Sequence, residues 1–295
     1  MAKRAVFYTV SGQHITLLAT SLYSLITHYT SKTPLDVIIF HDDVYDSDLD
    51  FLKVLPTLLD CPQITVQFAT PPDAINQINY NNDRFPKIVL WRLFVPAVLS
   101  QYDTLIYLDN DTLIYQSIDQ MFQLIDADKA VAAVHDAYLY LTALTADRSV
   151  QNYEWNSQYV NDGVMVINVK KYNEVVSPSA IIDYVNSHMG NQYLDQDVIN
   201  ELVGDYRQIL PWRYNDQKSQ LWLTLYAQPK SAGFVEEIIK ERQHLFIRHF
   251  IEFAPNSMPW QHLRTDDKHE DDFWENLTAM KQKVIEWSRQ QDQQD

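Results

Sequence analysis

Glycine is nearly missing from this 295-residue chain, with only 5 in all. A Walker loop or a G-x-G-x-x-G turn therefore has no place to form, and any phosphate bound here needs its charge met by something other than bare backbone. Cysteine is scarcer still. Cys61 stands alone, which excludes an intrachain disulfide and a thiolate metal cluster and makes a cytoplasmic location the default expectation. Bases are few: 23 Lys and Arg against 39 acids give a formal charge of −16, which opposes nonspecific attraction to nucleic acid or an anionic membrane. No nucleic-acid partner is expected. Long apolar runs are absent too. The longest, "KIVLWRLFVPAVL" at 87–99, is interrupted by Arg92 and Pro96 and falls short of the ~20 residues that span a bilayer. The stretch after Lys3 and Arg4 breaks at Ser11, Gln13 and His14, too short for a signal peptide. A soluble protein is expected.

What the chain does have is hydrophobic content, 46%, enough for a sizeable core. Short apolar runs alternate with longer amphipathic ones. Residues 5–10 and 35–40 read as buried strands, and Ile15, Leu18, Leu22, Leu25 and Ile26 mark one face of a helix between them, which makes a βαβ unit. Residues 63–68, 104–109, 130–135 and 163–169 supply further strands, while 87–99 reads as a buried helix ended by its proline and by Ser100. The alternation predicts an α/β fold with a mostly parallel central sheet flanked by helices, and ligands beyond the carboxyl ends of the strands. With no internal repeat or linker, residues 1–262 read as one domain and 263–295 as an acidic C-terminal helical extension. Phe273, Leu277, Met280, Val284 and Trp287 recur at helical spacing there. From 261 to 295 there are 9 acids against 5 bases, so membrane docking is disfavoured and the stripe reads as packing on the domain or as an oligomer contact.

Five Asp-x-Asp triplets begin at Asp46, Asp48, Asp109, Asp126 and Asp195, where chance alone gives roughly three, so context has to discriminate among them. The pairs at 46, 48 and 126 lie in polar surroundings that suit solvated turns. Asp109 instead follows Leu105, Ile106, Tyr107 and Leu108, and Asp111 precedes Leu113 and Ile114. Carboxylates embedded in apolar sequence cost several kcal/mol unless compensated. A turn or helix cap is one explanation, and a divalent cation bridging both is the other. Hard carboxylate oxygens suit Mg²⁺ or Mn²⁺, and a metal with few protein ligands leaves positions open for a diphosphate.

The ordered set "WRL…YDTLIYLDNDTLI…VNDGVMVINVKKY…YLDQDVIN…LPWRYN…RHF…MPW" resembles the retaining glycosyltransferases of family 8, the group of glycogenin and the bacterial lipooligosaccharide galactosyltransferases. The resemblance runs from about 5 to 262. It implies a GT-A fold, a UDP-sugar donor, a bound Mn²⁺ or Mg²⁺, and a glycan, glycoconjugate or protein acceptor. Carried over residue by residue, it implies that Asp109, Asp111 and His249 hold the metal. By alternation alone, "LFIRHFIEF" sets Leu245, Ile247, His249, Ile251 and Phe253 on one face, where a core histidine is the other reading. Arg92 resembles the arginine that supports the acidic pair and the donor; a snorkelling arginine is the alternative. Asn161, Asp162 and Gly163 resemble the lining of the donor-sugar site. Asp195 and Gln196 resemble the pair that grips the sugar and faces its anomeric carbon, and Asp197 reads as a helix cap. Thr9, Ser11 and Gln13 stand where the family contacts uridine, and Asn110 sits inside the acidic pair.

Two departures from the family pattern stand out. Ser11 occupies a position where aspartate is common, and Met258 replaces a lysine that touches the diphosphate; either Arg248, Arg264 or a substrate-ordered loop takes its place, or turnover is weakened. The implied chemistry is hexose transfer with retention, by same-face attack with Gln196 positioning the sugar, or through Asp195 or Asp162 as a nucleophile. A sugar nucleotidyltransferase would need a Gly-rich, basic loop after the first strand, which "FYTVSGQHIT" does not offer. A catalytically silent nucleotide-sugar-binding module, or a scaffold whose acids bind nothing, are the nonenzymatic readings.

Overall fold

Strand β1 (Arg4–Ser11) is buried along nearly its whole length, as a central strand covered on both faces must be. The computed structural model describes residues 3–80, 86–146, 157–188, 193–263 and 267–292. Helix α1 (Ile15–His28) leads from β1 to its parallel neighbour β2 (Leu35–Asp42), so the expected βαβ unit is present. Helix α2 (Asp46–Leu58) follows, with Asp46 and Asp48 in its first turn, where negative charge meets the positive end of the helix dipole. Strand β3 (Ile64–Ala69) closes that edge of the sheet, and its burial alternates as an edge strand's does.

The remaining strands are β4 (Thr104–Leu108), β5 (Thr112–Ile114), β6 (Val131–His135), β7 (Val160–Asn168), β8 (Arg207–Ile209) and β9 (Ile247–His249). Seven form the main sheet, in the order β3-β2-β1-β4-β7-β6-β8, and β5 pairs with β9 in a separate antiparallel ribbon. The main sheet is mostly parallel, with β7 alone reversed against β4 and β6. That reversal places the start of β7 beside the end of β4. Leu108 pairs with Val164, and the Asp109 N–H donates to the Gly163 carbonyl at 2.8 Å. Two segments more than fifty residues apart in sequence thus meet at one edge.

Alternate residues of β1 feed two cores. Val6, Tyr8 and Val10 face the layer containing α1 and α2, while Ala5 and Phe7 face helices α3 (Trp91–Val98), α5 (Val169–Val175), α6 (Pro178–Ser187) and α7 (Leu194–Val203). Helix α4 (Ala137–Leu144) begins just beyond β6, and α8 (Ala232–Arg242) precedes β9. Two sequence expectations need correction. Residues 87–99 are a 3-10 turn, Lys87–Leu90, followed by α3, and Pro96 lies inside that helix instead of ending it. Strand character in 245–253 is limited to Ile247–His249, because its partner β5 offers only three residues to pair with; beyond it, Phe253 is exposed.

Helix α9 (Lys268–Gln291) lies on the domain. Met280 enters the main core, the Trp287 ring is 5.7 Å from that of Phe51, and Phe273 joins Leu113, Phe250 and Met258 in a small cluster. Among the described residues, no helix is long and apolar enough to cross a membrane.

Candidate active site

Beyond the end of β4, the chain makes a tight turn into β5 that side chains hold in place. Asn110 Nδ2 donates to the Thr9 carbonyl at 3.0 Å, and Thr112 Oγ1 donates to the Asp109 carbonyl at 2.8 Å. The turn presents Asp109 and Asp111 on the same side. The β5–β9 ribbon sets Thr112 opposite His249, whose Nε2 lies 3.3 Å from Asp111 Oδ1 and 3.6 Å from Asp109 Oδ2. Nδ1 of the same ring is 3.1 Å from Asn215 Oδ1. An amide oxygen only accepts, so Nδ1 carries the proton and the Nε2 lone pair points at the two carboxylates. One ligand atom from each of Asp109, Asp111 and His249 lies within 4.8 Å of the others. Three acceptors converging on one point, with the histidine tautomer set by an amide behind it, fit a divalent cation.

Gly163 makes this convergence sterically possible. A Cβ there would lie 2.2 Å from His249 Cε1 and 2.6 Å from Asp109 Oδ2, so no side chain fits without displacing a ligand.

Behind Asp109, a single buried cation faces three carboxylates. Arg92 projects from the first turn of α3 to Asp109 Oδ1 at 2.9 Å, Asp162 Oδ1 at 3.4 Å and Asp195 Oδ2 at 3.3 Å, with its guanidinium 4.5 Å above the Tyr107 ring. It is an organising residue and not a snorkelling one. Tyr107 donates from its hydroxyl to Asp109 Oδ1 at 2.6 Å, and burial pushes its phenol far up, so it stays a donor. Burial, then the neighbouring Asp195, push the Asp162 carboxyl well above the usual range against the opposing pull of Arg92. Burial also raises Asp195, with Arg92 pulling it down, and the contact between the two acids favours the proton on Asp162. Asp162 Oδ2 is buried and, among the described residues, has no hydrogen-bond partner.

A chain of amides connects His249 to this cluster. Asn215 Nδ2 donates to Asn161 Oδ1 at 2.8 Å, and Asn161 Nδ2 donates to Gln196 Oε1 at 2.8 Å. Gln196 Nε2 in turn donates to Asp136 Oδ2 at 3.4 Å. Asp136 Oδ1 accepts two N–H groups at the start of α4, which fixes that carboxylate. Asp197, two residues beyond Asp195, is turned elsewhere: it accepts from the Tyr159 hydroxyl at 2.5 Å and from the Tyr193 N–H, and it lies inside the first turn of α7, whose N-cap is Tyr193, so the expected cap is not formed.

The cleft has two lobes. One, of about 330 Å³, is lined by Thr9, Ser11, His14 and Asn110 among others; the second, of about 480 Å³, by Asn161, Asp162, Asp195, Gln196 and His249. Arg92, Asp109, Asp111 and Met258 border both. Of the residues expected to bind the metal or the donor, the structure brings all together at the cleft except Gln13, which is exposed and does not line either lobe; His14, one step on in the 3-10 turn, does. Arg248 is not at the cleft. It alternates with His249 along β9, and its Nη1 bonds the Asp216 and Lys218 carbonyls and sits 3.2 Å from Asp216 Oδ2. Arg264 lies outside the described residues. Sequence reasoning overlooked Tyr107, Asp136 and Asn215. Asp136 carried a readable signal, since it follows β6 just as Asp109 follows β4.

A mostly parallel α/β sheet with an acidic pair at the end of its central strand, a histidine set against that pair and a two-lobed cleft around them, is the architecture of a glycosyltransferase of the GT-A fold. The chain belongs to glycosyl transferase family 8, which it matches over residues 5–263, a family of retaining enzymes using nucleotide-sugar donors. General stress protein A of Bacillus subtilis is 23% identical over 236 residues, covering 76% of this chain and 78% of that protein. A lipopolysaccharide 1,2-glucosyltransferase of Escherichia coli is 27% identical over 182 residues, 57% of this chain and 50% of that protein. The chain spans about half the length of several relatives it matches. Among solved structures, the galactosyltransferase LgtC with donor and acceptor sugar analogs superposes with a TM-score of 0.70 at 16% identity, over 93% of this chain and 95% of that one. The bifunctional glycosyltransferase WbbM superposes with a TM-score of 0.75 at 19% identity, over 98% of this chain and 52% of that one. At these identities the likeness is one of fold.

Proposed function

We propose that this protein transfers a hexose from a UDP-sugar, UDP-glucose or UDP-galactose, to a hydroxyl of a glycan, glycoconjugate or protein acceptor, with retention at the anomeric carbon and with Mn²⁺ or Mg²⁺ required. The observation that carries this reading is the convergence of Asp109, Asp111 and His249 within 4.8 Å, where the two lobes meet. Those three residues would hold the cation, which when bound supplies Lewis-acid neutralisation of a departing diphosphate. We assign the uridine to the lobe of Thr9, Ser11 and Asn110, with His14 in place of Gln13, and the hexose to the lobe of Asn161, Asp162, Asp195 and Gln196. Arg92 keeps three carboxylates in one register around the sugar, and Gln196, bonded at both ends of its amide, positions it. Asp162 and Asp195 are both paired with Arg92, so neither is a free carboxylate nucleophile. That supports same-face attack by the acceptor hydroxyl, assisted by the leaving phosphate. A cytoplasmic location is part of the proposal and rests on the single cysteine.

The test is UDP release from UDP-glucose, UDP-galactose and UDP-N-acetylglucosamine, with and without Mn²⁺, for the wild type and Asp109→Ala. Release that needs the metal and disappears in the folded variant supports the reading. Tight UDP binding without any release favours a binding module, and UDP affinity indifferent to metal in both proteins overturns the metal assignment.

A further inference from the structure

The hexose lobe does not end at Gln196. It opens through Asp136, Tyr193, Ile251 and Glu252 into a third cavity of about 470 Å³. One wall of this cavity is aromatic: the Trp222 and Tyr226 rings lie 5.1 Å apart, and Tyr138 lies 6.1 Å from Tyr226. The wall is carried on an irregular element, a helical turn at Gln220–Trp222 running into a π-helical stretch at Leu223–Ala227, a form that often marks functional sites. Leu221, Leu225 and Phe253 line the cavity and are exposed apolar side chains. Such a wall suits the apolar face of a sugar ring.

Set into it is a cation. Lys218 lines the cavity and is 5% exposed, with its ammonium 5.2 Å from the Trp222 ring centroid. Among the described residues, that ammonium has no hydrogen-bond acceptor and no ion-pair partner. The two acids that share the cavity do not supply one. Asp136 is committed to the N–H groups of α4 and to Gln196, and Glu252 is exposed at the junction of the lobes. The backbone of Lys218 is clamped, since its carbonyl accepts from both Arg248 and Arg242. Burial, together with the positive charge of Arg248, lowers the Lys218 pKa despite the opposing Asp136. The residue is buried while its ammonium faces the cavity without an acceptor of its own, a charge that an anionic ligand there can compensate.

We propose that an acceptor seated in this third cavity bears an anionic group, a phosphate or a carboxylate, bound by Lys218 while its sugar stacks on Trp222 and Tyr226. The proposal rests on the transferase reading and names the class of acceptor. The opening beside Gln196 and Asp136 lets an acceptor hydroxyl reach the hexose lobe, and the aromatic wall holds the ring that carries it. A charge-assisted hydrogen bond in so buried a place favours the anionic acceptor over its neutral analogue by about tenfold or more.

The experiment is calorimetric titration of the full chain with methyl glucoside, methyl glucoside 6-phosphate and methyl glucuronide, and with the galactose counterparts. Saturating UDP and Mn²⁺ are present, so that phosphate cannot occupy the donor lobes. The wild type is expected to bind an anionic glycoside at least about tenfold more tightly than the neutral one. Lys218→Met is expected to erase that preference, and Lys218→Arg to restore most of it while both variants melt as the wild type does. Preference for the phosphate alone or the carboxylate alone identifies the source of the charge. Equal binding of neutral and anionic glycosides, no binding of any of them, or a preference that survives Lys218→Met overturns the proposal. Inorganic phosphate bound as tightly as the sugar phosphate reduces the cavity to an anion site and overturns the acceptor assignment. Metal-dependent UDP binding, measured separately, reports on the donor reading alone.

Discussion

Replacing Gly163 with alanine adds a single methyl group against His249 and Asp109, two members of the Asp109–Asp111–His249 cluster. The new Cβ would lie 2.2 Å from His249 Cε1, 2.9 Å from His249 Nδ1 and 2.6 Å from Asp109 Oδ2, where ordinary contacts need separations larger by about 1 Å. The strand cannot back away cheaply. Gly163 accepts the Asp109 N–H at 2.8 Å and donates its own N–H to Asn161 Oδ1 at 3.1 Å. The His249 backbone is equally fixed, with its N–H bonded to the Asp216 carbonyl at 2.9 Å. The imidazole is the part free to move, and moving it breaks the bond to Asn215 that sets its tautomer. A misaimed ligand of this kind costs ~10- to 100-fold in metal affinity, or about 1.4–2.7 kcal/mol, and overpacking costs a further ~1–3 kcal/mol of stability. Calorimetric Mn²⁺ binding at fixed UDP, beside thermal melts of the metal-free proteins, separates the two. Mn²⁺ affinity equal to wild type in a folded Gly163→Ala protein would refute the geometry argued for the site.

Arg92→Met leaves Asp109, Asp162 and Asp195 facing one another in a buried site and should cost ~3–5 kcal/mol; a urea midpoint close to wild type contradicts the organising role. Asp162→Asn should alter the pH dependence of metal-free stability. Because the Asp162 carboxyl is raised by burial and by Asp195, its contribution is fully present below the ordinary carboxylate range and is lost as pH rises through its raised value. The stability of the wild type relative to the variant therefore falls across that window, and melts whose difference is constant with pH sink the assignment. Met258→Lys places an ammonium where both lobes meet, and with Arg248 turned away it should raise UDP release by ~10-fold or more. It should also cost stability, because Met258 sits among Leu113, Phe250 and Phe273. Unchanged release in a folded variant shows that the diphosphate is already neutralised.

Much of the fold was legible because its strands are buried on both faces and so read as continuous apolar runs, with the β1–α1–β2 unit plain from local periodicity. The acidic pair at 109 and 111 stood apart from the other triplets because apolar sequence surrounds it, and burial without compensation is expensive wherever it occurs. These are local signals, carried by residues close together in the chain. The partners of those residues were settled by tertiary structure. Asp195 meets Arg92 while Asp197 bonds Tyr159, because two positions along a helix point roughly 200° apart. Arg248 and His249 lie on opposite sides of β9, and only the pairing of Thr112 with His249 shows which side faces the acids. The reversal of β7 brings Gly163 to Asp109, and no periodicity in residues 160–168 announces a strand's direction. Lys218 had no distinguishing context at all. Its isolation is a property of what surrounds it in three dimensions, and a charge's partners are counted only when chain segments far apart in sequence have been packed around it.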